Sequence, residues 1–152
     1  VYSPMRRNII AHPYNVVEAN LDELRAMAFV FICLDKNEPK RPIIAYLQEQ
    51  HIPFIDVGMG VNLVDGALQG HLRITTSTDA MRDHVSQRVA LGDDAGNDEY
   101  HQNIQIADLN ALNAALAVVR WKKHCGFYHD LEREHQCTYE IDGNHVLNED
   151  SA

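Results

Sequence analysis

Apolar residues in this chain fall into short runs whose period changes along its length. Six in a row, residues 29–34 (FVFICL), predict a strand buried on both faces. Asp35 ends the run. A helix then starts within 35–39 (DKNEP). Asp35 followed by Glu38 fits a capping box, and Pro39 falls in the first turn, where its missing N–H does no harm. Ile43, Ile44 and Leu47 form the stripe this helix turns toward a core, and residues 52–58 (IPFIDVG) make the next strand. Strand, helix and strand together predict a β-α-β unit of a parallel sheet. Asp35 then sits at the carboxyl end of a strand, the edge at which ligands bind in open α/β sheets.

On either side the pattern is weaker. Upstream, Ile9 and Ile10 predict a short strand near 8–12, and Leu21, Leu24 and Met27 or Ala28 share a helical face over 21–28. Downstream, alternation predicts two antiparallel strands at about 61–65 and 67–76, with Gly66 and Gly70 as breakers. Residues 92–99 (GDDAGNDE) predict an acidic surface loop. The strongest helix is 104–127, with Leu109, Leu112, Leu116 and Val119 on one face. Lys122, Lys123 and His124 fall in its last turn, and Gly126 fits the position just beyond its end. In the tail, Asp142-Gly143 between alternating segments predicts a two-residue hairpin turn, with Cys137, Tyr139 and Ile141 on one face. The fold class expected is α/β: a partial Rossmann-like parallel sheet continuing into antiparallel strands, with a C-terminal helix and hairpin.

Composition narrows the functional classes. The chain has 152 residues, enough for one domain with a real core. Its formal net charge of −9 makes it a poor non-specific ligand for nucleic acid or an anionic membrane, so neither is expected as a partner. No apolar run approaches the roughly 20 residues of a membrane helix. The start, VYSPMRRNII, has a basic pair but no apolar region of a signal peptide and no initiator Met, so a processed or truncated piece is expected. Three widely spaced cysteines, Cys33, Cys125 and Cys137, form no CxxC pair; reduced thiols and a cytoplasmic location follow as expectations.

Taken by pattern alone, the candidate chemistry is sparse. Asp35 reads first as a helix cap. Cys33 reads as inert core, and Cys125 and Cys137 lack a paired base. Of nine histidines, His129 and His135 flank Glu132 with a spacing that converges poorly on a helix, and zinc spacings are absent, so solvated histidines and no zinc are expected. The acidic loop, Asp93, Asp94, Asn97, Asp98 and Glu99, lacks the EF-hand order.

The order of these pieces resembles the later half of the ThiF/MoeB/HesA family, the E1-like activating enzymes of ubiquitin-like proteins. NIIAHPYNVVEANLDEL is similar to that family's lead-in to its aspartate strand. FICLDKNEPKR resembles its D-N-x-x-x-R stretch, HIPFIDVGMGVNLVDGALQG its P-x-I-x-x-G…G segment, and IQIADLNALNAALAVVRWKK the helix after its crossover loop. The resemblance covers about residues 8–125, which makes 1–127 the later half of an adenylating domain and 128–152 a hairpin extension. It implies ATP- and Mg-dependent adenylation of the C-terminus of a ubiquitin-like or sulfur-carrier protein, commonly by a homodimer. Asp35 would hold the metal and ATP, with Asn37 beside it. Arg41, or Lys40, would stand for the family's arginine, the register differing by one residue. Two departures stand out. The family's glycine-rich loop, ribose-binding acid and phosphate-contacting cations have no counterpart here, Gly58-x-Gly60 being no substitute because a strand follows it. Residues 77–103 hold no crossover cysteine. The chain by itself is therefore expected to be inactive. The alternatives are a non-enzymatic E1-like module for partner binding or dimerisation, and half of a dinucleotide-binding oxidoreductase.

Overall fold

The computed structural model describes residues 7–91, 106–148 and 150. A 3-10 helix (Glu18–Ala26) leads into β1 (Val30–Ile32), α1 (Asn37–Glu49), β2 (Phe54–Val64) and β3 (Ala67–Ser77). There follow α2 (Val85–Arg88), α3 (Ala107–His124), β4 (Gln136–Glu140) and β5 (His145–Asn148). All five strands form one sheet in the order β1-β2-β3-β4-β5. β1 runs parallel to β2, and every later pair is antiparallel. The fold is α/β: a parallel β-α-β unit continuing into antiparallel strands, with a helix and a C-terminal hairpin.

Alternation along β2 feeds two cores. Phe54 joins Ile32, Ile43, Ile44, Leu47, Val85 and Val89 on the α1 side. Ile55 joins Ile74 and Ala117 on the α3 side, flanked by Phe29, Leu116, Trp121 and Cys137. The predicted stripe of α1 is therefore the buried one, with Lys40 added to it. The predicted end of α3 also holds. Gly126 is left-handed (φ 71°), its N–H donates to Lys123 O (2.9 Å), and the Phe127 N–H donates to Lys122 O (2.8 Å). That pair of bonds is a Schellman closure, which a residue bearing Cβ would strain.

Other expectations are corrected. Residues 8–12 form no strand, and Ile10 is 79% exposed. The helix expected over 21–28 is the 3-10 helix, which turns Leu21 inward and leaves Met27 exposed. β1 shrinks to three residues, and Phe31, Cys33 and Leu34 are exposed rather than buried. The cause is position: among the described residues β1 is the outermost strand and pairs only with β2. β2 does not end at Gly58 but runs straight into the antiparallel pair. In α3 the buried residues are Asn113, Ala117 and Arg120, whereas Leu112 and Val119 face outward. A short polar face lets the helix approach the sheet closely enough for Asn113 Nδ2 to donate to Gly58 O at 2.9 Å. The final hairpin turns through four residues, 141–144, because Glu140 pairs with His145. Asn144, not Gly143, takes the left-handed conformation. The acidic loop expected over 92–99 lies outside the described residues.

The β2–β3 connection is the tight turn: Asp65 (φ 50°) and Gly66 (φ 82°) are both left-handed, as a type I′ turn requires. Gly70, in β3, serves a different end. A Cβ built on it would lie 2.5 Å from Gly60 O, and main chain gives way poorly. Replacing Gly70 by Ala is therefore expected to destabilise the fold by about 1–3 kcal/mol, read as a lower urea midpoint at unchanged slope.

Candidate functional site

Asp35 lies beyond β1 and immediately before α1, at the carboxyl end of a parallel strand, and its side chain is exposed. It does not cap the helix. The cap position is Lys36, without a side-chain bond, which places Pro39 third in the helix. The capping box read from Asp35 and Glu38 does not form because the cap lies one residue later, and at the new third position Pro39 has no N–H for a cap to accept. Asn37 is the first helical residue. Arg41 lies one turn further on. Its Nε donates to Leu91 O at 3.1 Å, and Nη2 donates to the same oxygen. Arg41 thus ties α1 to the chain entering the 92–105 segment. Among the described residues, no hydrogen bond or ion pair joins Asp35 to Arg41.

The charged group that organises this edge is one that pattern reading passed over. Asp56, in β2, is fully buried. Lys40 Nζ from α1 lies 3.1 Å from Asp56 Oδ1, and Arg73 Nη2 from β3 lies 2.7 Å from Asp56 Oδ2. Lys40 is itself only 3% exposed. Of the two positions that could match the family's arginine, Lys40 therefore points into the sheet and Arg41 outward. Arg73 Nη1 also donates to Thr75 Oγ1 (2.7 Å) and to Arg88 O (3.0 Å). One carboxylate thus gathers α1, β2, β3 and α2.

Gly58-x-Gly60 finds its explanation beside this triad. Gly58 pairs with Arg73 and Gly60 with His71 across β2 and β3. A Cβ at Gly58 would come 2.6 Å from Arg73 Nη2, and one at Gly60 would come 2.6 Å from His71 Cε1. The glycines clear a path for cross-strand side chains, so the motif is not a phosphate loop. The sequence signals were an acid inside an apolar strand and two glycines facing an Arg and a His, features that only the strand register connects.

Cys33 lies just past β1 and is exposed, contrary to the expectation of buried core. Partial burial, reinforced by the Asp56 carboxylate, nonetheless raises its thiol above the ordinary value, which disfavours the reactive thiolate. Cys125 and Cys137 are also free thiols. His129 and Glu132 are exposed and His135 is buried, so the three do not form a cluster. Among the described residues, no group of three His, Cys, Asp or Glu side chains is placed to hold a metal.

At the opposite end of β2, a cavity of about 780 Å³ opens between Pro53, Thr78, Arg120, Lys123, His129 and Arg133. Two of its cations, Arg120 and Lys123, are matched by Asp130 and Glu134. Arg120 Nη1 lies 2.6 Å from Asp130 Oδ2 and 3.4 Å from Glu134 Oε2, and Lys123 Nζ lies 2.7 Å from Glu134 Oε1. Burial opposes ionisation of Asp130, but the Arg120 guanidinium outweighs it and holds the carboxyl below its ordinary value. This network fastens α3 to the segment leading into β4.

No family model matches the chain, and no curated protein does. No described helix is long and apolar enough to cross a membrane.

The triad makes a quantitative prediction. Asp56→Ala would leave buried Lys40 and part-buried Arg73 without their carboxylate and is expected to cost about 3–5 kcal/mol. Lys40→Met leaves the Asp56–Arg73 pair intact and should cost clearly less. Urea denaturation of both variants decides it. Equal losses would mean that the carboxylate does not organise the cluster.

Proposed function

We propose that this chain is the later half of an E1-like adenylating domain, which in the intact enzyme activates the C-terminus of a ubiquitin-like or sulfur-carrier protein with ATP. The observation that carries the reading is Asp35, an exposed carboxylate beyond β1 at the mouth of a β-α-β unit. The motif order of the sequence supports it independently. An exposed aspartate offers hard oxygen donors, and magnesium typically takes one or two carboxylates and completes its shell with phosphate oxygens and water. Asp35 fits that pattern as the protein's ligand, with Asn37 at the start of α1 beside it. The metal would neutralise charge that develops as the carrier's carboxylate attacks the α-phosphate and pyrophosphate leaves.

The open side of β1 fits a domain whose sheet continues. β1 has no strand on its outer side among the described residues, and Phe31 is 39% exposed there. A further strand carrying a glycine-rich loop would cover that edge and bring phosphate-binding amides to the Asp35 end. Homodimerisation belongs to the same reading, with β5 as a second edge.

The alternative, a partner-binding module without catalysis, is favoured by Arg41, whose guanidinium is engaged with Leu91 O. ATP–pyrophosphate exchange separates the two. The chain alone is expected to show none, and robust exchange from it would sink the half-domain reading. In an intact enzyme, Asp35→Asn is expected to lower exchange by about a hundredfold or more. Full activity in that variant would remove Asp35 from the site.

A further inference from the structure

Next to the triad, between α2 and the start of β4, lies a cluster that the adenylation reading does not use. His84, just before α2, has both ring nitrogens engaged: Nε2 lies 3.0 Å from Thr76 O, and Nδ1 lies 3.1 Å from Arg88 Nη1. A carbonyl oxygen only accepts and a guanidinium only donates. The ring is therefore neutral, with its proton on Nε2. Arg88 Nη1 also reaches Asp150 Oδ1 at 2.5 Å. The other oxygen of Asp150 accepts the main-chain N–H groups of His135 and of Gln136, the latter at 3.0 Å. Gln136 Oε1 accepts from Thr75 Oγ1 at 2.7 Å, and Thr75 Oγ1 accepts from Arg73. The bonds thus run without a break from the buried triad to Asp150, past the end of the C-terminal hairpin.

His135 is the second ring in the cluster, edge-on to His84 at 5.9 Å between centroids. Its Nε2 contacts Thr78 Oγ1 at 2.9 Å, while its Nδ1 is buried with no hydrogen-bond partner among the described residues.

We propose that His84 and Arg88 form an acid-sensitive latch that fastens α2 and the β4–β5 hairpin to the sheet, and that protonation of His84 opens it. A proton on Nδ1 would set a second cation against Arg88. Arg88 would have to withdraw, Asp150 would lose its cation, and the start of β4 would lose the carboxylate that receives its amides. Cations and one carboxylate act on the ring in opposite directions, and burial with the cations prevails. Arg88 faces it from α2, His135 from the segment before β4, and Arg120 stands behind His135 from α3. Asp150 is the counter-charge, kept ionised against its own burial by the His135 amide and Arg88. Burial, then Arg88, lowers the basicity of His84. Burial, then Arg120, lowers that of His135. Groups depressed in the folded state make stability complete above the unfolded value of about 6.5, and stability falls as pH drops below it.

Hydrogen exchange of the chain at pH 7.5 and at pH 5.5, corrected for the intrinsic pH dependence, tests the latch. Residues 85–89 and 136–148 are expected to lose protection, approaching tenfold per pH unit for the one extra proton taken up, while α1 and the start of β2 keep theirs. His84→Gln retains a donor for Thr76 O but has no proton to gain, so the response should shrink in it to what His135 alone contributes. Equal protection at both pH values, or an unchanged response in H84Q, would overturn the latch. Should H84Q fail to fold, nitrogen NMR of the unaltered chain decides: a neutral Nε2–H ring at pH 7 supports the latch, and a doubly protonated one overturns it. None of this rests on the adenylation reading.

Discussion

Asp56 sets the terms for the rest of the structure. A carboxylate taken fully out of water carries a desolvation cost that no single neutral neighbour offsets. Its two oxygens are met by Lys40 from a helix and Arg73 from the adjacent strand. Those demands reach far along the chain. Lys40 must lie on the buried stripe of α1, which fixes how that helix rolls against the sheet. Arg73 must cross β2, which requires glycine at position 58. Its remaining donors then satisfy Thr75 and the last carbonyl of α2. The group that reads as a lone acid in an apolar strand thus determines the rotation of one helix, one glycine and the docking of another helix.

The two ends of the sheet use charge differently. At the carboxyl end of β1, Asp35 and Cys33 are exposed, and the matched charges lie beneath them. At the other end, Arg120, Lys123, Asp130 and Glu134 neutralise one another around an open cavity. The functional reading settles at the first end because Asp35 there follows the carboxyl end of a parallel strand and the start of α1 lies beside it.

Local signals in the sequence were faithful where chemistry is local. The α1 stripe, the glycine closing α3 and the presence, though not the turn length, of the hairpin near the end needed only nearest-neighbour rules. Failures came where a residue's setting depends on distant partners. Phe31 and Leu34 read as doubly buried because a six-residue apolar run implies neighbours on both sides, and β1 has one. Leu112 and Val119 lost the core to Asn113 and Ala117 because α3 approaches Gly58 through small and polar residues. His135 read as solvated, yet main-chain pairing with β3 draws it inside. At the candidate site, the position of Asp35 after a strand was legible, but the capping role read for it does not hold, because Lys36 takes the cap position. The Lys40–Asp56–Arg73 triad stayed hidden because its members lie 16 and 17 residues apart along the chain.

That β1 has no strand on its outer side among the described residues has a consequence for handling the protein itself. Residues 29–34 combine aromatic and β-branched side chains with no charge, proline or glycine to interrupt them. Such a segment on an unprotected strand is a template for cross-β stacking between identical copies. Nothing in its sequence acts as a gatekeeper until Asp35, so the aspartate that ends the strand is also the first residue to oppose its growth into a fibril.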